Sequence, residues 1–406
     1  MIARTMRRVA MSLTPLLLFA PVVWAQEAAP HVVSLQEALR AADLLPDLKA
    51  AEAALRAAEE GVKLAGRLPD PSFGFATHSV SARQSYSLSV PLPWPGRGPR
   101  VDVAKAGVAA AGTDRDGARL IARRALRIAW YTTAAREDMA KAATDRAARA
   151  KAGADAVTAL FDAGRVALLE VSRARADAAM TAADAAQSEE ELQIAEGVLR
   201  RLLGIESGRI VVERPLPAFS VEGDLETATA TALTHSPSAK AAEAKVRGAE
   251  ASVRLASALR FPAISMELGA DVDDPTQPGT DKSIGVSLTL PIGGGPGLGI
   301  AKGERDRALA LRDQTQREIK DAVEQAWRTA RAARTRYETL GKEAVPAATQ
   351  AAELAQVAYR EGRADIFRVL DAERALAEAR SGLAEAYLAW GLARADLLSV
   401  MGEDVP

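Results

Sequence analysis

The chain is written twice. A block beginning at Pro46, PDLKAAEAALRAAEEGVKLAGRLPDP, returns at Pro237 as PSAKAAEAKVRGAEASVRLASALRFP, 191 positions later. LSVPLP at Leu88 returns as LTLPIG at Leu288. LFDAGRVALLEVSRARA at Leu160 returns as AYREGRADIFRVLDAERA at Ala358, which sets Gly164 against Gly362, 198 positions apart. Three blocks in one order mean a duplication of about 195 residues. Whatever one half folds into, the other must repeat, and the two copies must fit each other.

Each half reads as a short helix, a strand-like zone, and a very long helical zone broken once by glycine. The first repeat spans 26–204, a linker 205–223, and the second repeat 224–406. The short helix, about 23 residues, would be roughly 35 Å long at about 1.5 Å per residue. On the same rise, the zone from Gly98 to Asp162 would form a rod of roughly 97 Å, and Val166 to Leu203 one of roughly 57 Å. Such a rod is matched only by two shorter segments end to end, so the ascending helix of one half is expected to be continued by the short helix of the next. Ile319, Val323, Ala326, Ala330, Ala333, Tyr337, Leu340 and Ala344 alternate steps of four and three. So do Val369, Ala372, Leu376, Ala379, Leu383, Ala386, Trp390, Ala393 and Leu397. In the first half Ile121, Ala125, Ile128, Thr132, Ala135, Met139 and Ala142 do the same. A sustained 3.5-residue apolar repeat predicts coiled-coil packing. Aromatics are only 4% of the chain, and alanine fills many seam positions, which suits thin, closely packed helices rather than a thick core.

The strand zones have period two. Strands are predicted at about 71–80 and 84–91, and again at 262–270 and 282–291. Phe73 and Phe75, then Tyr86, Leu88 and Val90, alternate with small residues. Ile264, Met266 and Leu268, then Ile284, Val286, Leu288 and Leu290, do likewise. Polar loops join each pair into a hairpin. The lengths suit membrane-crossing strands, but four strands cannot close a barrel, since small transmembrane barrels have about 8. An open sheet in lipid leaves two unpaired edges. Closure must therefore use several chains. Strand counting does not choose between two chains and three.

The amino terminus points to export. Arg4, Arg7 and Arg8 precede an apolar run from Leu13 to Ala25, which reads as a signal peptide over 1–25 with cleavage after Ala25. The run is too short and proline-punctuated to serve as a membrane span. Net charge is -1 and becomes more acidic once those arginines leave, which offers nothing to nucleic acid. There is no cysteine, hence no disulfide framework, thiolate site or lipid-bearing amino-terminal Cys.

With these residues in hand, the chain resembles the TolC-like outer-membrane efflux proteins over nearly all of its length beyond the leader. Carrying the resemblance are the duplicated helix–hairpin–helix order, the proline-rich returns VPLPWPGRGPR at Val90 and LPIGGGPGLG at Leu290, and the paired GRVALLEV and GRADIFRV. The short length and proline-rich exits look most like the heavy-metal branch, partners of cobalt-zinc-cadmium type pumps. The resemblance implies a mostly α fold with a small β part. Duplicated coiled-coil helices would form a trimeric α-barrel, and four strands per chain would join a shared 12-stranded barrel in the outer membrane of a Gram-negative bacterium. It implies a homotrimer, outer-membrane lipid, a periplasmic adaptor and a proton-driven inner-membrane transporter as partners.

The resemblance also makes Gly164 and Gly362 periplasmic tips that contact the adaptor, and a tight turn there needs a residue tolerant of positive φ. Arg165 and Arg363 would be exposed beside them. Leu168 and Ile366 would either enter an adaptor groove or restart the helix core. Pro91, Pro93, Pro95 and Gly96, with Pro291, Gly293 and Gly295, would redirect strand into helix, because proline ends pairing and glycine permits a sharp bend. No catalytic, cofactor or metal site is expected. His31, His78 and His235 are scattered, GGGPG lacks the Lys-Ser/Thr of a phosphate loop, and Asp271, Asp273 and Asp274 read as a solvated turn. The expected function is a passive export duct for divalent heavy-metal cations. The alternatives are a duct for organic toxins or secreted protein, or a soluble periplasmic adaptor-like coiled coil.

Overall fold

The structure, a computed structural model, describes residues 31–77, 84–92, 95–213, 224–272, 279–292 and 295–402. The expected leader and its cleavage point, His78, Pro93, Gly293, Asp273, Asp274 and 214–223 lie outside the described residues.

In chain order come β1 (His31–Val33), α1 (Leu35–Arg40), a 3-10 turn (Ala41–Leu44), α2 (Pro46–Ala65), β2 (Ser72–Thr77), β3 (Gln84–Pro91), α3 (Arg97–Asp162) and α4 (Leu168–Leu203). The second half follows with β4 (Ile210–Val212), α5 (Leu225–His235), α6 (Pro237–Ala258), β5 (Ala263–Val272), β6 (Thr280–Thr289), α7 (Gly295–Thr339), a π-turn (Leu340–Ala344), α8 (Val345–Arg360) and α9 (Ile366–Met401). The repeat is structural. α2 and α6 both start on proline in the first helical position, whose missing N–H costs nothing there. α4 and α9 are each 36 residues and end on a left-handed glycine, Gly204 and Gly402. The descending rods differ. α3 is an unbroken 66 residues, whereas its counterpart is built of 45, 5 and 16. Pro346 has no N–H for the carbonyl four residues back and its ring crowds it. The turn before it widens, and Val345 N–H reaches back five residues to Leu340.

α3 is the mast of the molecule. Its first half carries α2 and α6, its second half α4 and α9, while α7 packs on α6 and then α9. The densest core sits mid-mast, where Leu126, Trp130 and Tyr131 meet Leu199, Ile210, Tyr387 and Trp390. Burial pushes the Tyr131 phenol pKa up. Gly391 lies under the Tyr131 ring, where a Cβ would stand 2.7 Å from it. The stretch read as a linker does more than connect. Its β4 pairs in parallel with β1, His31 opposite Ile210 and Val33 opposite Val212. Trp130 Nε1 donates to the Val33 carbonyl at 3.0 Å and Val212 N–H donates to Glu137 at 2.9 Å, tying both strands to α3.

The second-half heptads follow the seams in part: Ile319, Val323, Ala330, Leu376, Ala386, Trp390, Ala393 and Leu397 are buried, and the other heptad residues are half-buried. The first-half heptad marks the core less well, with only Ala135 of its residues buried. Ile121 is 69% exposed, while Leu120, Ala122, Leu126, Ala129 and Trp130 are buried. A helix contacted on several sides buries more than one stripe, so its periodicity no longer marks a single seam.

Candidate functional site at the sheet and the helical tips

The four long strands form one antiparallel sheet in the order β2-β3-β5-β6. The two hairpins therefore join through β3 and β5, with Leu88 opposite Leu268 and Val90 opposite Met266. Register sorts the side chains over most of the sheet, with Thr77, Gln84, Thr280 and Lys282 sharing the apolar face only near the hairpin tips. One face holds Phe73, Phe75, Tyr86, Leu88, Ile264, Met266, Leu268, Ile284, Val286 and Leu288. The other holds Ser85, Ser87, Ser89, Ser265, Glu267, Asp271, Asp281, Ser283 and Ser287, interleaved with Gly74, Gly269 and Gly285. Phe75 packs against Tyr86 with ring centroids 5.2 Å apart and the rings tilted by 45°, and Tyr86 donates its hydroxyl to Gln84 at 3.0 Å. Ile284 and Val286 on β6 are 80% and 75% exposed, with no protein over them. A face of uncovered Ile, Val and Phe backed by a face of Ser, Gly, Asp and Glu separates an apolar medium from water. Among the described residues β2 and β6 are each paired on one side only, so the sheet ends in two open edges.

Below the sheet, Leu92 N–H still bonds to the Ile264 carbonyl at 2.8 Å, one residue past Pro91. Pro95 and Gly96 then form the turn into α3, with Gly96 at its N-cap. Arg97 Nε ties this corner to the Gly66 carbonyl at 2.8 Å. On the second side Pro291 follows β6 and Gly295 opens α7.

At the far end of the rods the two tips are copies. Gly164 has φ 70° and Gly362 φ 69°. Gly164 N–H bonds to the Phe161 carbonyl and Arg165 N–H to Leu160, at 2.8 and 2.9 Å. Gly362 N–H bonds to Tyr359 and Arg363 N–H to Ala358, at 3.0 and 2.8 Å. This pairing satisfies the last carbonyls of a helix around a left-handed residue. Arg165 and Arg363 are exposed, the latter beside Glu361 at 3.3 Å. The next residues diverge. Leu168 is 62% exposed, whereas Ile366 packs with Phe367 on Val157, Val171 and Ala174. Asp365 caps α9 by accepting from Arg368 N–H, while Ala167 gives α4 no side-chain cap.

Sequence reasoning missed what joins the two hairpins above their tips. Glu373, buried on α9, accepts from Arg149 of α3 and from Gln356 of α8. Arg374 donates to Asp177 of α4 at 2.7 Å. Arg149 and Glu373 stand 224 positions apart, Asp177 and Arg374 197, and a charge on a charged helix carries no mark of its partner. Among the described residues no three His, Asp or Glu side chains gather closely enough to hold a metal ion.

The comparisons with known proteins agree with this geometry. The family model "Outer membrane efflux protein" matches residues 38–205 and again 229–403, once for each half of the duplication. The cobalt-zinc-cadmium resistance protein CzcC of Cupriavidus metallidurans is 26% identical over 354 residues, covering 82% of this chain and 81% of its own. The crystal structure of CusC superposes with TM-score 0.74 at 16% identity, covering 92% of this chain and 94% of that one. The outer membrane protein VceC of Vibrio cholerae superposes with TM-score 0.72 at 20% identity, covering 91% and 96%. Two halves that fold alike and each answer to the same family model place the chain: it belongs to the outer membrane efflux protein family.

Proposed function

We propose that three copies of this chain close a 12-stranded barrel and a helical tunnel, forming the passive exit duct of a tripartite efflux pump. Family membership makes the chain an outer-membrane channel protein with a large periplasmic helical part, and not an enzyme. The observation carrying the proposal is the two-faced sheet with two open edges, because unpaired edges in lipid leave backbone groups without partners. Energy then comes from an inner-membrane transporter through a periplasmic adaptor. The exposed tips at Gly164–Arg165 and Gly362–Arg363 are the surfaces offered to that adaptor. The proline and glycine corners at Pro91, Pro95, Gly96, Pro291 and Gly295 convert tilted strand into upright helix. For cargo, heavy-metal cations are the reading favoured by the likeness to the cobalt-zinc-cadmium resistance protein, at 26% identity. A cargo of organic compounds or secreted protein is the second reading, since the family model that matches both halves names no cargo.

The test is a deletion strain challenged with zinc, cobalt, cadmium and copper beside dyes and antibiotics. It is complemented either by the intact chain or by the Gly164→Pro, Gly362→Pro double variant. Sensitivity to metals alone, rescued by the intact chain, supports metal export, and sensitivity to organic compounds supports the second reading. The double variant is expected to reach the membrane without restoring resistance. Full rescue by it defeats the role of the tips.

A further inference from the structure

The two hairpins of one chain already meet along a seam. There α9 packs along α3, with Leu370 closed over Gly153, where a Cβ would stand 2.7 Å from Leu370 Cδ2, and reaches α4 through Ile366, Phe367 and Arg374. The duplication maps α9 onto α4 and α8 onto the end of α3 at the 198-residue spacing of the tip glycines. Ile366, Phe367 and Leu370 correspond to Leu168, Leu169 and Ser172. Gly153 corresponds to Ala351, and Arg149 to Ala347. In the chain by itself these counterparts are uncovered. Leu168 and Leu169 are 62% and 64% exposed, and Ser172, Ala347 and Ala351 are exposed as well. Ala347, Ala351 and Leu354 recur at i, i+4 and i+7, which makes one stripe on α8, and Leu354 is 61% exposed.

We propose that Leu168, Leu169 and Ser172 of one copy close on the Ala347, Ala351 and Leu354 stripe of the next copy. The seam within the chain is thereby repeated between chains around the tip of the duct. The occupant is a second copy of this chain because the chain itself supplies the template: the same helix pair, at the same distance from the same tip turn, is already packed once. Ala347 and Ala351 on the facing stripe are also small, as Gly153 is, so the helix axes can approach closely there. This inference rests on the oligomeric duct proposed above. It assigns Leu168 to contact with its own kind rather than with the adaptor. The ion pairs of the inner seam are not carried over, since Arg149 and Glu373 become Ala347 and Arg175, and Asp177 and Arg374 become Ala375 and Ala176. Packing alone holds the outer seam at those positions.

The full chain has no native cysteine, so Ser172→Cys with Ala351→Cys gives a clean test in outer membranes. Oxidation with copper phenanthroline is expected to give disulfide-linked dimers and trimers on a non-reducing gel. These should vanish with reductant and be absent from each single variant. The pair Arg175→Cys with Ala347→Cys, bridged by a bismaleimide, samples the same seam about one turn higher. If neither pair links while the purified channel has the mass of an oligomer, the seam is overturned and the duct reading stands. A monomer mass throughout overturns both.

Discussion

Gly164 and Gly362 are the residues on which each hairpin turns. Both hold a left-handed backbone, and no atom lies within 4 Å of where a Cβ would stand. The constraint on them is conformational rather than steric. Gly164→Ala and Gly362→Ala are each expected to destabilise the purified protein by about 1–2 kcal/mol, seen as a lower melting temperature. Gly61→Ala is the matched control. It lies mid-helix in α2 with open space around it, and should gain about 0.5–1 kcal/mol. Glu373 poses the opposite problem, a carboxylate buried by its partners. Removing it strands Arg149 and Gln356, so Glu373→Ala is expected to cost about 1.5–3 kcal/mol. Arg149, about two-fifths exposed, can turn to water, so a double-mutant cycle with Arg149→Ala should show coupling well below the cost of Glu373→Ala. The tip glycines were legible because a repeated glycine between long helices has few other uses. Glu373 was not, because its identity as a lock exists only once α3, α8 and α9 converge.

The sheet is the element whose reading was most complete. Period two placed Ile284, Val286 and Leu288 on one face from the sequence, and the register keeps them there. Single-residue alternation makes a sharp prediction. Val286→Arg puts a charge on the apolar face and is expected to cost about 2–4 kcal/mol in the membrane, measured as a smaller fraction of heat-modifiable folded protein. Ser287→Arg, its neighbour on the polar face, should leave that fraction near the unmodified level. Helices were less legible. In α7 the buried apolar residues Ile319, Val323 and Ala330 all lie on the heptad, whereas α9, packed on α3, α7 and α8, buries Leu376, Ala386, Trp390, Ala393 and Leu397 of the heptad together with Ala384, Tyr387, Ala395 and Leu398 off it. In α3 the heptad begins at exposed Ile121, passes through half-buried Ala125, Ile128 and Thr132 and reaches buried Ala135, because several other helices bury the mast from different directions. β1 and β4 escaped notice altogether. Three-residue strands carry too little alternation to be seen, and their pairing joins the amino-terminal segment to the middle of the chain.

At the scale of the whole molecule, one chain is unfinished at both ends: open strand edges above, uncovered leucines on α4 below. Mass measurement in mild detergent is expected to give three times the chain mass. A population that stays monomeric would defeat the closed barrel. The sequence by itself determined the duplication, the four-strand alternation and the tip glycines. These are properties of period, spacing and residue conformation, which are local and repeat along the chain. Only the tertiary structure decided which stripe of α3 is buried, that the supposed linker carries a strand, and that Glu373 locks one hairpin to the other. It also decided that Leu168 and Ile366, alike in sequence, meet different fates. Those outcomes depend on which helix lies against which, and two copies of one pattern cannot occupy identical surroundings when one lies inside the chain and the other at its edge.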